Sequence, residues 1–160
     1  MDCTIRPMKK SEYPLLADFL YEAIFIPEGV APPPRDIIKQ DELQVYIRGF
    51  GDKPDDICFV ADYDGKIVGA VWVRIMDDYG HIDDETPSFA ISLYKEYRGH
   101  GIGTELMKTM IAELKKRGYR RSSLAVQKAN YAVRMYKAVG FEITGENDEE
   151  YIMTIELNEV

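Results

Sequence analysis

The sequence predicts a mixed α/β (α+β) fold, seven strands and four helices in one domain spanning residues 1–160. Three observations lead there. Runs of β-branched and aromatic residues interleave with runs of helical periodicity, in the order strand, two helices, three strands, helix, strand, helix, two strands. Asp64-Gly65 joins two of the β-rich runs, a strong hairpin signal. No repeat, low-complexity stretch or long linker divides the 160 residues, a length that suits one domain with a real core.

Taken in order, Thr4-Ile5-Arg6 reads as a short first strand. Ser11 is placed to cap a helix over 11–25, with Leu16, Leu20, Ala23 and Ile24 on one face and Pro14 in the first turn, where a missing N–H is tolerated. The proline-rich segment 27–36 is a loop, and a second helix is expected over 37–48. ICFVADY and KIVGAVWVRIM form the hairpin, and PSFAISLY is a third long strand after the acidic loop DDYGHIDDE. A helix over 102–117 places Ile102, Leu106, Met110 and Leu114 on one face; Lys115, Lys116 and Arg117 suit its C-terminal dipole and Gly118 stops it. SSLAVQ is a strand, Asn130 caps a helix to about residue 139 that Gly140 ends, and FEIT and YIMTIEL close the sheet.

Composition narrows the function. With 46% apolar and 30% charged residues the chain reads as globular. It has no apolar run of the roughly 18 residues a membrane helix needs, and its start lacks the apolar core of a signal peptide, so a cytoplasmic location is expected. Cys3 and Cys58 suggest reduced, structurally silent thiols rather than a disulfide framework or a zinc site. The acidic runs at 77–85 and 146–150 lack the alternation and glycine of a calcium loop, so no metal is implied. A net charge of −8 argues against nucleic acid, which needs a basic face. Any anionic ligand must be captured locally.

The segment YRGHGIGTEL supplies such a site. Gly99, Gly101 and Gly103 stand at every second position where a strand runs into a helix. A helix N-terminus presents unpaired N–H groups and a partial positive charge, and glycines let the backbone approach a phosphate. The turn lacks the Gly-Lys-Ser/Thr ending of a P-loop. Its G-x-G-x-G spacing and late position also differ from a dinucleotide fingerprint.

The pattern R-x-x-G-x-G from Arg98 to Gly103 resembles the acyl-CoA pyrophosphate loop of the GNAT acyltransferase superfamily. AISLYKEYRGHGIGTELM looks like that family's central strand and helix, and NYAVRMYKAVGF like its second motif. Element order extends the likeness over nearly the whole chain. The resemblance implies a central, mostly antiparallel sheet of about seven strands flanked by about four helices. It also implies acetyl-CoA as co-substrate, and a homodimer as a common assembly.

Carried over residue by residue, the resemblance gives Ile91, Ser92 and Leu93 to the pantetheine arm through their backbone. Pleat alternation sets Ile91 and Leu93 on one face and Ser92 on the other. It gives the pyrophosphate to Arg98, Gly99, His100, Gly101, Ile102, Gly103 and Thr104, with the His100 ring unnecessary to the cradle, and adds an Asn130 contact to the CoA arm. Tyr136 falls where the family places a tyrosine that protonates the departing CoA thiolate; a phenol with a pKa of about 10 can donate that proton. As a packing residue it would share a helix face with Ala132 and Val139 and meet Phe141.

The base is open. Pro87 and Ser88 stand where a strand carboxylate is sought; Glu85 is the nearest candidate, with Asp83, Asp84, His81 and a water chain as alternatives. The loop 26–36, with Glu28, and the acidic loop 77–85 suggest a small cationic amine or an exposed peptide amino group as acceptor, with Trp72, Tyr79 and Tyr94 as candidates for an apolar pocket. The leading expectation is an acetyl-CoA-dependent N-acetyltransferase. A non-catalytic acyl-CoA-binding domain is the alternative; a nucleotide-binding module is disfavoured by the glycine spacing.

Overall fold

The computed structural model describes residues 2–158. Its strands are β1 (Thr4–Pro7), β2 (Ile57–Tyr63), β3 (Lys66–Arg74), β4 (Ser88–Leu93), β5 (Arg121–Gln127), β6 (Glu142–Glu146) and β7 (Glu150–Glu156), in one sheet ordered β1-β2-β3-β4-β5-β7-β6. Every neighbouring pair is antiparallel except β4 and β5. Asp64 (φ 51°) and Gly65 (φ 88°) turn the β2–β3 hairpin, the two positive φ values such a tight turn requires. The Gly65 N–H donates to Asp62 Oδ1 at 2.9 Å.

Both sheet faces are covered, which explains why β2 and β3 are almost continuously apolar. Behind the sheet lies α3 (Ile102–Lys116), whose Leu106, Met107, Met110 and Leu114 are fully buried against Phe59, Val71, Val73, Phe89 and Met153. Each such side chain contributes about 1.5–3 kcal/mol by leaving water. α4 (Ala132–Ala138) joins the same layer through Tyr136. In front, α1 (Leu16–Glu22) packs Leu16 and Phe19 against Val60, Ala70 and Trp72. Cys58 is buried there too, and both cysteines are free.

The two N-terminal helices are shorter than their sequence pattern predicts. Ser11 does not cap the first; the Lys9 N–H donates to Glu12 Oε1 at 2.8 Å and a 3-10 turn (Lys10–Leu15) containing Pro14 precedes α1. Because α1 stops at Glu22, Ala23 and Ile24 leave the helix. The second is a 3-10 turn (Arg35–Lys39) and one α-helical turn, α2 (Asp41–Gln44), separated by an extended Gln40. Side chains of β3 take its following carbonyls: Trp72 Nε1 donates to Tyr46 O (3.0 Å), and Arg74 Nη1 to Val45 O (3.2 Å) and Arg48 O (2.9 Å). Arg74 also holds Asp56 through two 3.1 Å bonds. Tertiary partners here replace the helical ladder.

Arg6 clamps Glu12 with bonds of 2.9 and 2.8 Å and reaches Asp62 at 3.3 Å, tying β1 to β2 and to the start of the first helical segment. The Arg6 hydrogen bonds lower the Glu12 pKa from 4.5 to about 2. A lowered carboxylate stabilises the fold above its unfolded pKa and loses that contribution as pH falls through the folded value. The stability difference between the native chain and Glu12→Gln should therefore be full above about pH 4.5 and shrink toward pH 2, read by urea unfolding at stepped pH. A difference that stays flat across this window would refute the clamp.

Candidate active site

β4 and β5 touch at one register pair, Ser88↔Ser123. The rung is reinforced by Ser123 N–H to Pro87 O (3.1 Å), Ser122 Oγ to Pro87 O (2.6 Å) and a 3.3 Å bond between the Ser88 and Ser123 hydroxyls. From there toward their C-terminal ends the strands carry no further register pair. A cleft of about 780 Å³ is lined by the β4 residues Ile91, Ser92 and Leu93, and by Gly99, Gly101, Gly103, Thr104, Asn130 and Tyr136. The structure thus brings most of the predicted residues to one cavity.

They contribute differently. Ile91 and Leu93 pack toward α3, while Ser92 turns to α1 and donates to Phe19 O at 2.6 Å, so the strand offers the cleft its backbone. Gly99 (φ 78°) and Gly101 (φ 84°) have left-handed backbones, and a Cβ at either would stand in open space at the cleft wall. Gly101 precedes the first turn of α3, whose N–H groups have no helical acceptor. This open, donor-rich turn fits a pyrophosphate. Gly103 has a second reason: a Cβ there would lie 3.2 Å from Met135 Sδ, so a side chain would press on α4 and require Met135 to shift. His100 is exposed and Ile102 sits in the core; neither side chain lines the cleft. Asn130 Oδ1 accepts the Ala132 N–H at 2.9 Å, capping α4 beside the cavity.

Tyr136 is 9% exposed, its ring 6.2 Å from that of Phe141. Its hydroxyl has no hydrogen-bond partner among the described residues, yet none of their buried polar side-chain atoms is orphaned, so the hydroxyl reaches the cleft surface. Burial pushes its pKa up to about 12, keeping a proton on the phenol at neutral pH. Arg98 also lines the cleft, with most of its guanidinium engaged by the protein: Nε donates to Leu93 O (3.0 Å), and Nη2 to Glu22 O (3.1 Å) and Glu22 Oε2 (3.3 Å), while Nη1 has no partner among the described residues.

The acidic loop lies elsewhere. Glu85 is exposed, and none of 77–85 lines the cleft. The loop is folded onto the start of β4: Asp83 Oδ1 accepts from Thr86 (2.8 Å) and from the Glu85 N–H (2.9 Å), and Asp78 takes Tyr46 Oη (3.1 Å) and Ser88 Oγ (3.3 Å). Glu85 as base is therefore corrected by position, as is this loop as a cleft wall. His81 bonds the Met76 carbonyl at 2.9 Å. Of the aromatic candidates, Tyr94 lines the cleft, Trp72 is core and Tyr79 is exposed. The opposite wall follows α1: Ile26 and Pro32 belong to the loop expected to receive the acceptor, whereas Ile24 and Phe25, expected in the first helix, join the wall because α1 stops at Glu22. No group of three or more metal-binding side chains occurs among the described residues, and no helix there is long and apolar enough to cross a membrane.

A mixed sheet opened between β4 and β5, with a glycine turn feeding α3, defines the class of acyltransferase folds to which the sequence motifs pointed. Residues 20–141 match the model of the Acetyltransferase (GNAT) family, and the chain belongs to that family. It is 36% identical over 92 residues to the "Probable N-acetyltransferase camello" of Xenopus tropicalis, an alignment covering 55% of this chain and 40% of that protein. The chain thus spans about two-fifths of the length of the curated relatives it matches. Among solved structures, the N-acetyltransferase from Staphylococcus aureus Mu50 superposes with a TM-score of 0.73 at 19% identity, covering 99% of this chain and 100% of that one. PaiA N-acetyltransferase from Thermoplasma acidophilum in complex with coenzyme A gives 0.71 at 18%, covering 98% and 99%. These likenesses establish the fold.

Asn130→Ala should cost about 1 kcal/mol through the lost cap, lowering Tm by about 2–4 °C, whereas Asn130→Asp should keep the native Tm. Thermal melts of both variants without ligand check this; equal melting of the alanine variant and the native chain would remove the cap from the account.

Proposed function

We propose that the protein is an acetyl-CoA-dependent N-acetyltransferase that moves the acetyl group to a primary amine by direct attack, all within one catalytic domain over 1–160. The observation that carries this is the Tyr136 hydroxyl, which reaches a cleft floored by β4 without a protein partner. Gly99, Gly101 and the first turn of α3 would hold the pyrophosphate, and the backbone of Ile91, Ser92 and Leu93 would extend to the pantetheine arm like a neighbouring strand. Held in line, the acceptor nitrogen bonds to the acyl carbon as the carbon–sulfur bond breaks. Tyr136 then gives its proton to the leaving sulfur and, as a phenolate, takes the surplus proton of the newly acylated nitrogen; its pKa of about 12 keeps the phenol protonated until the thiolate appears.

The ammonium form of the acceptor must lose a proton first, and in this reading it loses it to water. The net charge of −8 favours a cationic amine in the approach, while Ile24, Phe25, Ile26 and Pro32 favour an apolar body beside the reacting nitrogen.

Thiol release from acetyl-CoA across a panel of amines tests the reading. Tyr136→Phe should lower kcat by about 100-fold with little change in CoA affinity. Unchanged turnover would take Tyr136 out of the mechanism. CoA binding without turnover of any amine would favour the non-catalytic acyl-CoA-binding domain.

A further inference from the structure

We propose that Arg98 is a positioning residue for this transfer and not a phosphate ligand: its guanidinium ties the C-terminal end of α1 to the last residue of β4, fixing the separation of the two cleft walls. The inference rests on the acetyltransferase reading of the cleft and adds a role to one residue of it.

Three observations carry it. Nε is committed to Leu93 O at 3.0 Å, where β4 ends, and Nη2 is shared between Glu22 O at 3.1 Å and Glu22 Oε2 at 3.3 Å. The Glu22 carboxylate offsets the guanidinium charge, so the pair presents little net attraction to a pyrophosphate. Capture of the anion then falls to backbone N–H groups. The pair also joins the two walls: Leu93 belongs to the β4 edge, and Glu22 is followed, after Ala23, by Ile24, Phe25 and Ile26 of the opposite wall. The Glu22 carbonyl sits at the end of α1, where the helix leaves its acceptors unpaired and a cation is favourable.

A clamp and a ligand predict different behaviour toward a thioester lacking phosphates. Acetyl-CoA and S-acetylpantetheine share the arm and the acyl group, and only the first carries a pyrophosphate. Arg98→Gln and Arg98→Lys should lower kcat/KM by about tenfold, the loss expected from charged hydrogen bonds, for both thioesters alike, leaving their ratio unchanged. Lysine should not rescue, because a point charge cannot span Leu93 and Glu22. Glu22→Gln should weaken CoA binding, and should add little in the Arg98→Gln background.

A phosphate ligand would behave in the opposite way. Loss would be confined to acetyl-CoA, Arg98→Lys would recover most of it, and Glu22→Gln would tighten CoA by freeing the cation; that pattern overturns the proposal. Calorimetric Kd values for CoA and pantetheine on the same variants give the same decision without turnover. A wild-type chain that binds CoA yet acetylates nothing would defeat the transferase reading while leaving this one to be judged on binding. Should Arg98→Gln fail to fold, Arg98→Lys and Glu22→Gln carry the test.

Discussion

The rung between Ser88 and Ser123 is the constraint on which the rest depends. Three serines with no exposed surface, Ser88, Ser122 and Ser123, spend their hydroxyls on the Asp78 carboxylate, on the Pro87 and Gly80 carbonyls and on each other, and so hold two parallel strands together at one point. A parallel pair needs a crossover, here α3, and the glycine turn that starts α3 must follow the open end of β4. Beyond the rung, part of the β4 backbone is left without a strand partner on that side. Unpaired backbone groups are costly unless something meets them, so the opening is itself an invitation to an extended ligand.

Charge is handled locally throughout. A chain carrying −8 should repel an anion at long range. The cleft compensates with unpaired N–H groups rather than with a surplus of cations, and its arginine is matched by Glu22. Burial acts in the same spirit on Tyr136, whose raised pKa keeps the phenol neutral. It also raises the Asp78 carboxyl, against the lowering effect of its bonds from Tyr46 and Ser88. That carboxylate staples the acidic loop to β4.

The legible parts of the sequence were those set by local chemistry. Asp64-Gly65, the four-residue stripe Ile102, Leu106, Met110 and Leu114, and the glycines after β4 each state their own backbone requirement, and all lie where the pattern puts them. What the sequence hid depends on distant partners. Nothing near Val45, Tyr46 or Arg48 announces that Trp72 and Arg74 will take their carbonyls and cut the second helix short. The end of α1 at Glu22 and the commitment of Arg98 are one event seen from two places 76 residues apart. Glu85 looked close to the site because sequence distance to β4 is short, yet hydrogen bonds around Asp83 hold that loop away from the cleft.

The two layers that sandwich the sheet are built by different means. Behind it, α3 is bound by fully buried apolar side chains along its whole length. In front, the chain between α1 and β2 buries Ile38 and Phe50 and is otherwise pinned at separate polar points: Tyr21 Oη to Pro33 O, Arg35 with Asp18, and the Trp72 and Arg74 anchors. Few buried apolar contacts and scattered anchors characterise segments that open without global unfolding. Amide protons of the front segment should then exchange with solvent sooner than those of α3. The apolar wall of Ile24, Phe25, Ile26 and Pro32 therefore belongs to the less firmly held layer, anchored at its start by Arg98 on Glu22.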